Sequence, residues 1–456
     1  FGKTVAVPYG LLSIATVLKK AGHNILIYDE NVQDYTLERL MSFNPAAVGL
    51  SVLTGPSIQR AIELSKRIKE KAAEVTVIWG GVHPSLLPDE TIREDYIDYI
   101  VMGEGERTVL NLLRHIQNPS QFPIEHVEGV CYKRGGNAIK QPRREFIQDL
   151  DELPDPDWGL IEVEKYIRLD KQSNLRRINL CSSRGCPYDC SFCYNRAFNR
   201  DRKFASFSAE RIAGWIKYLK ERHGIGYFKF WEDNFTVDKQ RLRDFCRTLT
   251  QREFDIKWAC ESRVDIKEEE FRMMKESGCD EIGFGVESGS PRILDFINKR
   301  IRLEDVEYAC NKCLEVGTKS RLYFMVGIPT ETIEDFEMTL SLTKRLPHFG
   351  LEYMFYRPYP GTRLYQYSVD KGLFRPPESL EKWAQCSELY SVDYNLSEIP
   401  TEMIKREMRR FKRDYALHQA LYVLKYEKAH MAKFLLSPKS LAKNIKTIIN
   451  QVLRNL

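Results

Sequence analysis

The sequence predicts an α/β protein in which a Rossmann-like domain precedes a partial six-unit β/α barrel and a C-terminal helical segment. Three observations carry that expectation. Short Val/Ile-rich runs alternate with helical patterns up to about residue 135, and six further strand-like runs lie between Ile178 and Tyr356. Between the two sets, residues 151–158 place two prolines among acids, a stretch that resists helix and strand alike. Strands alternating with helices imply crossovers and a parallel sheet.

In order, residues 11–22 read as an amphipathic helix, 25–27 as a strand and 36–43 as a helix. A strand at 47–53, a long helix at 57–73, a strand at 75–79 closed by Gly80-Gly81 and a strand at 99–102 follow. Ligands of such a sheet sit at the carboxyl ends of its strands, where Ser51-Val-Leu53, Gly80-Gly-Val-His83 and Gly103-Glu104-Gly-Glu106 fall. After the proline stretch, strand-like runs at 178–181, 227–231, 257–260, 281–286, 322–326 and 352–356 are followed by helical patterns, the last one left open. Six units fall short of a closed eightfold barrel, so an open barrel with its site at the carboxyl face is expected. The domains expected are 1–135, a linker over 136–170, the barrel over 171–375 and a helical, basic region over 376–456.

With 456 residues, 43% hydrophobic and 29% charged, the chain excludes collagen-like, low-complexity and wholly disordered classes. A net charge of +5 is too small to argue for a nucleic-acid partner, and none is expected. No apolar run reaches membrane-spanning length and the start lacks signal-peptide order, so a cytoplasmic protein is expected, with residues missing before Phe1. The charge is concentrated in residues 401–456, with 13 Lys+Arg against 4 acids, which opens the reading of a peripheral contact with an anionic membrane surface. Most such basic faces are simply solvated.

The decisive run is Arg184-Gly-Cys186-Pro-Tyr-Asp-Cys190-Ser-Phe192-Cys193, a C-x3-C-x2-C just past the first barrel strand. Three thiolates on one tight loop can hold three irons of a cubane cluster and leave the fourth iron open to a chelating substrate. A closed zinc site wants four ligands in two pairs, and no second pair lies nearby. Cys310 and Cys313 share one face of an expected helix and read as core, as do the isolated Cys131, Cys181, Cys246, Cys260, Cys279 and Cys386. Tyr353, Phe355, Tyr356, Tyr359, Tyr365 and Tyr367 crowd the last strand and its loop, either lining a substrate or capping the barrel.

The cysteine run resembles the signature of the radical S-adenosylmethionine (SAM) superfamily, and the likeness continues strand by strand. It implies that Phe192 borders the adenine of SAM. Glu232 and Asp233, in Trp231-Glu-Asp-Asn-Phe235, would receive its amino group; Ser262 and Arg263, in Cys260-Glu-Ser-Arg-Val264, would grip its carboxylate. Glu287, in Gly283-Phe-Gly-Val-Glu-Ser-Gly289, would accept from the ribose hydroxyls, and Gly327, in Phe324-Met-Val-Gly-Ile-Pro-Thr, would lie against adenine.

Ser51-x-Leu53, followed after 26 residues by Gly80-Gly81, is similar to cobalamin-binding Rossmann domains, where these residues surround the nucleotide tail. Glycine there is expected to let backbone approach a bulky ligand. Together with Pro8-Tyr-Gly-Leu-Leu12, Gly80-Gly-Val-His83-Pro and Gly103-Glu104-Gly-Glu, this looks like the cobalamin-binding subset of radical SAM proteins over roughly residues 8–370. No D-x-H-x-x-G is present, so no His is identified as replacing the lower base, and His83 reads as a polar wall before a cobalt ligand.

The resemblance implies a [4Fe–4S] cluster at Cys186, Cys190 and Cys193, SAM, cobalamin and an external electron donor of flavodoxin or ferredoxin type. It implies a methyltransferase acting on an unactivated carbon through a 5′-deoxyadenosyl radical and methylcobalamin. The same architecture resembles the anaerobic magnesium-protoporphyrin ester cyclases, so ring closure or rearrangement stands as the alternative. A cofactor-binding sensor is a more distant one. The motifs build a radical and leave the substrate unnamed.

Overall fold

The structure, a computed structural model, describes residues 5–34, 36–170, 172–199, 204–386 and 395–426. The basic region expected beyond Tyr426 lies outside the described residues. The chain divides into two compact units, Phe1–Asp189 with Cys193–Lys229 and Pro358–Glu388, and Cys190–Phe192 with Phe230–Arg357 and Leu389–Leu456.

The first unit holds a five-stranded sheet in the order β1 (Ala47–Ser51), β2 (Thr76–Gly80), β3 (Tyr99–Val101), β4 (Val130–Arg134) and β5 (Asn137–Lys140). β1, β2 and β3 are parallel, and their register sets Ser51 beside Gly80, aligning the carboxyl ends. The helix Pro56–Lys71 starts where Gly55, at φ 111°, turns the chain and Pro56 takes the first turn, where its missing N–H costs nothing. Ile58, Ala61, Ile62, Ser65 and Ile68 form its buried stripe at helical spacing, and Ser65 Oγ accepts from the indole of the fully buried Trp79 at 2.9 Å.

Two features depart from the sequence expectation. Residues 25–27 join no strand: Ile27 is buried, but Leu26 is 41% exposed, so the apolar triplet packs one side chain without a ladder partner. Beyond β3 the sheet is extended by an antiparallel hairpin turned at Gly135-Gly136, both at positive φ, which a reading based on strand-helix alternation passes over.

The stretch taken as a linker is docked within the first unit. Leu153 and Trp158 are buried, Asp155 Oδ1 accepts from Arg211 Nε and Trp215 Nε1 at 2.8 Å each, and Asp157 pairs with Lys19 at 2.7 Å. Prolines here keep regular structure out without leaving the segment loose.

The partial barrel is a seven-stranded sheet in the order β14 (Gly350–Phe355), β13 (Lys319–Val326), β12 (Cys279–Glu287), β11 (Lys257–Ser262), β10 (Ile225–Phe230), β7 (Arg176–Leu180) and β6 (Arg168–Leu169). A small antiparallel ribbon joins β8 (Ser183–Gly185) and β9 (Phe204–Ser206). In the second unit β11 to β14 are parallel. Along β12 the alternate residues Ile282, Phe284 and Val286 are fully buried, whereas Glu281, Gly283, Gly285 and Glu287 share the other face, as period-two alternation requires. Phe230, Phe235, Phe245 and Trp258 form an aromatic nucleus with ring centroids 4.7–6.1 Å apart. Cys310 and Cys313 are fully buried core residues of the helix Leu303–Val316. No helix among the described residues is long and apolar enough to cross a membrane.

Candidate functional site

Cys186 follows β8 directly, and Cys193 immediately precedes the helix Tyr194–Asn199. The three motif thiols are partly exposed. Most other cysteines are buried, and burial pushes their thiols up, Cys131 to about 11, Cys246 and Cys310 to about 12, so those sulfurs stay neutral and unsuited to ligation. Among the described residues no three His, Cys, Asp or Glu side chains converge as ligands of one metal ion would. A donor set of three accessible thiols on one loop fits a cluster in which each sulfur takes its own iron.

In the second unit the candidate SAM residues occupy successive strand ends. Glu232 follows β10 with its side chain enclosed and its carboxylate 3.7 Å from Arg241 Nη2, while neighbouring Asp233 is exposed. Trp231 beside them is 41% exposed. Ser262 ends β11 with its hydroxyl 2.5 Å from Thr236 Oγ1. Arg263 lies 3.9 Å from Cys190 Sγ through Nη1, and through Nη2 it donates to the carbonyls of Lys299, at 2.5 Å, and Arg300, at 3.0 Å. Part of its fork is thus engaged by backbone, and its charge stands beside a motif sulfur.

Glu287 ends β12 at a bulge with φ 72°, a conformation that a non-glycine residue holds only where its surroundings fix it. The fixing contact is Lys299 Nζ, 2.7 Å from Oε1 with both side chains nearly enclosed. The glycines of this strand clear room for side chains of the protein itself. A Cβ on Gly285 would meet Glu287 Oε1 and Lys299 Nζ within 3 Å, and one on Gly283 would strike Glu261, whose carboxylate accepts from Tyr323 at 3.1 Å. Gly327, at φ 77°, directly follows β13, and its N–H donates to Glu331 Oε2 at 2.9 Å, joined by Ile328 N–H at 3.2 Å. Burial pushes the Glu331 carboxyl up to about 8 despite these two donors. Phe192 is partly buried on the cysteine loop.

In the first unit, Ser51, Leu53, Gly80, Gly81, His83 and Gly103 cluster around the carboxyl ends of β1, β2 and β3. Leu53 is 57% exposed there although it is apolar, and a Cβ on Gly103, at φ 81°, would meet nothing within 4 Å. An exposed leucine and an open glycine turn at the same end of the sheet fit the apolar flank of a large flat cofactor. Gly81 has another reason for being glycine: at φ 93° its Cβ would come within 2.9 Å of Val52 N and O, so the neighbouring backbone excludes a side chain.

His83 is fully buried, its Nδ1 3.2 Å from Thr54 Oγ1, its ring edge-on to Trp383 with centroids 5.6 Å apart, and its Nε2 without a hydrogen-bond partner among the described residues. Burial lowers its pKa to about 4, so the imidazole is neutral. Glu104 points into an ion-pair network. Its Oε1 lies 2.9 Å from Arg184 Nη1 and its Oε2 accepts from Ile147 N–H at 2.7 Å, while Glu106 Oε1 lies 2.6 Å from Arg184 Nη2 and accepts from Ser13 at 2.6 Å. Burial raises the Glu104 carboxyl against the pull of Arg184; at Glu106 Arg184 and Ser13 outweigh burial and hold it low. Sequence reading gave no role to Arg184 and Glu106, although both stand inside quoted motifs, and did not single out Lys299, Arg241, Glu331 or Trp383. Arg184, two residues before Cys186, and Glu106, at the end of the Gly103-Glu104-Gly-Glu motif, carried a visible signal.

Residues 180–343 match the Radical SAM superfamily and residues 3–113 the B12 binding domain. The chain is 32% identical over 376 residues to "Uncharacterized methyltransferase PH0819" of Pyrococcus horikoshii, covering 81% of this chain and 80% of that one. It is 28% identical to the anaerobic magnesium-protoporphyrin IX monomethyl ester cyclase of Rubrivivax gelatinosus, covering 80% of this chain and 66% of that one. In fold it is similar to the radical SAM methyltransferase TsrM of Kitasatospora setae, with a TM-score of 0.68 at 16% identity over 82% of this chain and 76% of that one. The cobalamin-dependent SAM radical enzyme OxsB gives 0.64 at 19% over 89% and 59%. Two domain matches in this order, together with a relative aligned across four-fifths of both chains, place the protein in the cobalamin-binding, methyltransferase-containing branch of the radical SAM superfamily, as an enzyme whose cofactors are a [4Fe–4S] cluster, SAM and cobalamin.

Proposed function

We propose that the protein methylates an unactivated carbon of an organic substrate. The observation that carries this reading is the presence in one chain of a three-thiol loop and of a strand-end cradle with an exposed Leu53, combined with the relation to a methyltransferase over four-fifths of its length. When bound, the cluster, SAM and cobalamin supply the radical and methyl chemistry; the residues of this chain bind, orient and exclude water. Cys186, Cys190 and Cys193 hold the cluster. Phe192, Asp233, Ser262, Arg263, Glu287 and Gly327 surround SAM, and Glu232, ion-paired with Arg241, supports the loop that carries Asp233. Ser51, Leu53, Gly80, Gly81 and Gly103 flank cobalamin; His83 backs the pocket as a neutral wall, and Glu104 holds the loop through Arg184.

The protein works in the cytoplasm with an external reductant of flavodoxin or ferredoxin type, and its basic C-terminal region would allow a peripheral membrane contact. The similarity to the cyclase supports ring closure as the second reading. Anaerobic reconstitution with iron, sulfide, hydroxocobalamin and methyl-labelled SAM tests both. Retained cobalamin, 5′-deoxyadenosine and label in a product support methyl transfer. An unlabelled cyclised or oxidised product supports the second reading, and no SAM cleavage by the reduced, cluster-loaded protein overturns both.

A further inference from the structure

The second unit brings one motif cysteine against a strand-end arginine. Arg263, buried just after β11, directs Nη1 to Cys190 Sγ at 3.9 Å, within reach of an N–H···S hydrogen bond. A sulfur bound to iron is a thiolate and a stronger acceptor than a thiol, so holding a cluster makes this contact a charge-assisted one.

One short segment holds both partners. Nη2 of Arg263 donates to the carbonyls of Lys299 and Arg300, at 2.5 and 3.0 Å, and the Ile297 carbonyl accepts from the N–H of Ser191, next to Cys190, at 2.8 Å. Ile297 is fully buried, and Asn298 and Arg300 stand at φ 52° and 53°, a conformation that non-glycine residues keep where the surroundings fix it. Residues 297–300 therefore fix the guanidinium on one side and the cysteine backbone on the other. An N–H aimed at a sulfur acts through that single contact, so its effect does not require the guanidinium to be otherwise unpaired.

We infer that Arg263 tunes the cluster held by Cys186, Cys190 and Cys193, its N–H on Cys190 raising the reduction potential. Reduction adds one electron from a donor of flavodoxin or ferredoxin type, with no bond broken and no proton moved. The added negative charge spreads on to the sulfurs, where a donated hydrogen bond stabilises it, so the reduced state gains more than the oxidised one. This role rests on the cluster assignment and not on methyl transfer, and it is distinct from the grip of Arg263 on SAM.

A redox titration of the cluster-loaded full chain, followed by electron paramagnetic resonance in the absence of SAM, tests it. Arg263→Gln is expected to lower the reduced-to-oxidised ratio at a fixed potential about tenfold, the scale of one charge-assisted hydrogen bond, which is a fall of about 59 mV for a one-electron couple. Arg263→Lys keeps the charge but loses the anchored fork, and a smaller fall is expected. Equal potentials in wild type and Arg263→Gln, or a higher one in the variant, overturn the inference. Wild-type protein carrying isotopically labelled guanidinium nitrogen gives a second readout that survives a failure of Arg263→Gln to fold. The pulsed resonance spectrum of its reduced cluster is expected to show coupling to the labelled nitrogen, and that of Arg263→Lys is expected to lack it. A wild type without the coupling, or an Arg263→Lys protein that retains it, also overturns the inference. Iron and sulfide content and visible absorbance, measured beforehand, report on the cluster assignment itself, so a wild type that takes up no cluster refutes that assignment, and this role with it, before any potential is read.

Discussion

Arg184 joins the cysteine loop to two carboxylates almost 80 positions earlier in the chain, and its removal would leave Glu104 and Glu106 enclosed without their counter-charge. Stranding one partner of a buried pair costs about 3–5 kcal/mol, so Arg184→Ala should lower the unfolding midpoint strongly, and Arg184→Lys should recover part of it; equal midpoints for the three proteins would refute the tie. Because Glu106 is held below the ordinary carboxylate range, its contribution is full above that range and is lost as the pH falls through the depressed value. Glu232 and Asp233 separate in the same way. Glu232→Gln should cost stability, about 3 kcal/mol, by taking the nearest carboxylate away from the enclosed Arg241, and Asp233→Asn should weaken SAM binding measured by dialysis. Replacing any of Cys186, Cys190 or Cys193 with Ser should abolish the cluster's visible absorbance, and Cys310→Ser should retain it. The cysteines and strand-end acids were legible because motif spacing is local. The partners that fix them, Arg184 for Glu104 and Lys299 for Glu287, were not, because a single sequence does not reveal which distant charge meets which.

At the scale of elements, the turn after β13 carries its own titration. Glu331 is fully buried, takes N–H donors from Gly327 and Ile328 on one oxygen, and keeps its proton up to about pH 8. A folded pKa raised above the unfolded value near 4.5 means that stability declines as the pH rises from there towards 8, by up to about 1.4 kcal/mol per unit. Glu331→Gln preserves an acceptor for the two N–H groups and removes the charge. Its melting temperature should match the wild type at pH 5 and exceed it by several degrees at pH 9; a wild type that is equally stable at both pH values would contradict this. The barrel strands were readable because one face is continuously apolar, as Ile282, Phe284 and Val286 show. The β4–β5 hairpin and the fate of residues 25–27 were not, since pairing depends on a neighbour that the local pattern does not specify.

At the scale of the molecule, Pro358–Glu388 belongs to the first unit although it follows the whole barrel in sequence. Within it Trp383 is 2% exposed and packs on His83 and Phe374, and Glu381 lies 3.7 Å from Lys66. Trp383→Ala should cost about 3–5 kcal/mol, read as earlier protease cleavage and a lower midpoint. A chain ending at residue 357 should show the same loss in its first unit even with the β1–β3 sheet intact in sequence. The order of synthesis then acquires a meaning. Domains generally fold as they leave the ribosome, amino-terminal part first, but here His83 remains uncovered until Trp383 has been translated, 300 residues later. The nascent sheet must wait half-dressed through the making of the barrel, and a ribosome stalled anywhere within the barrel would release a first unit unable to close.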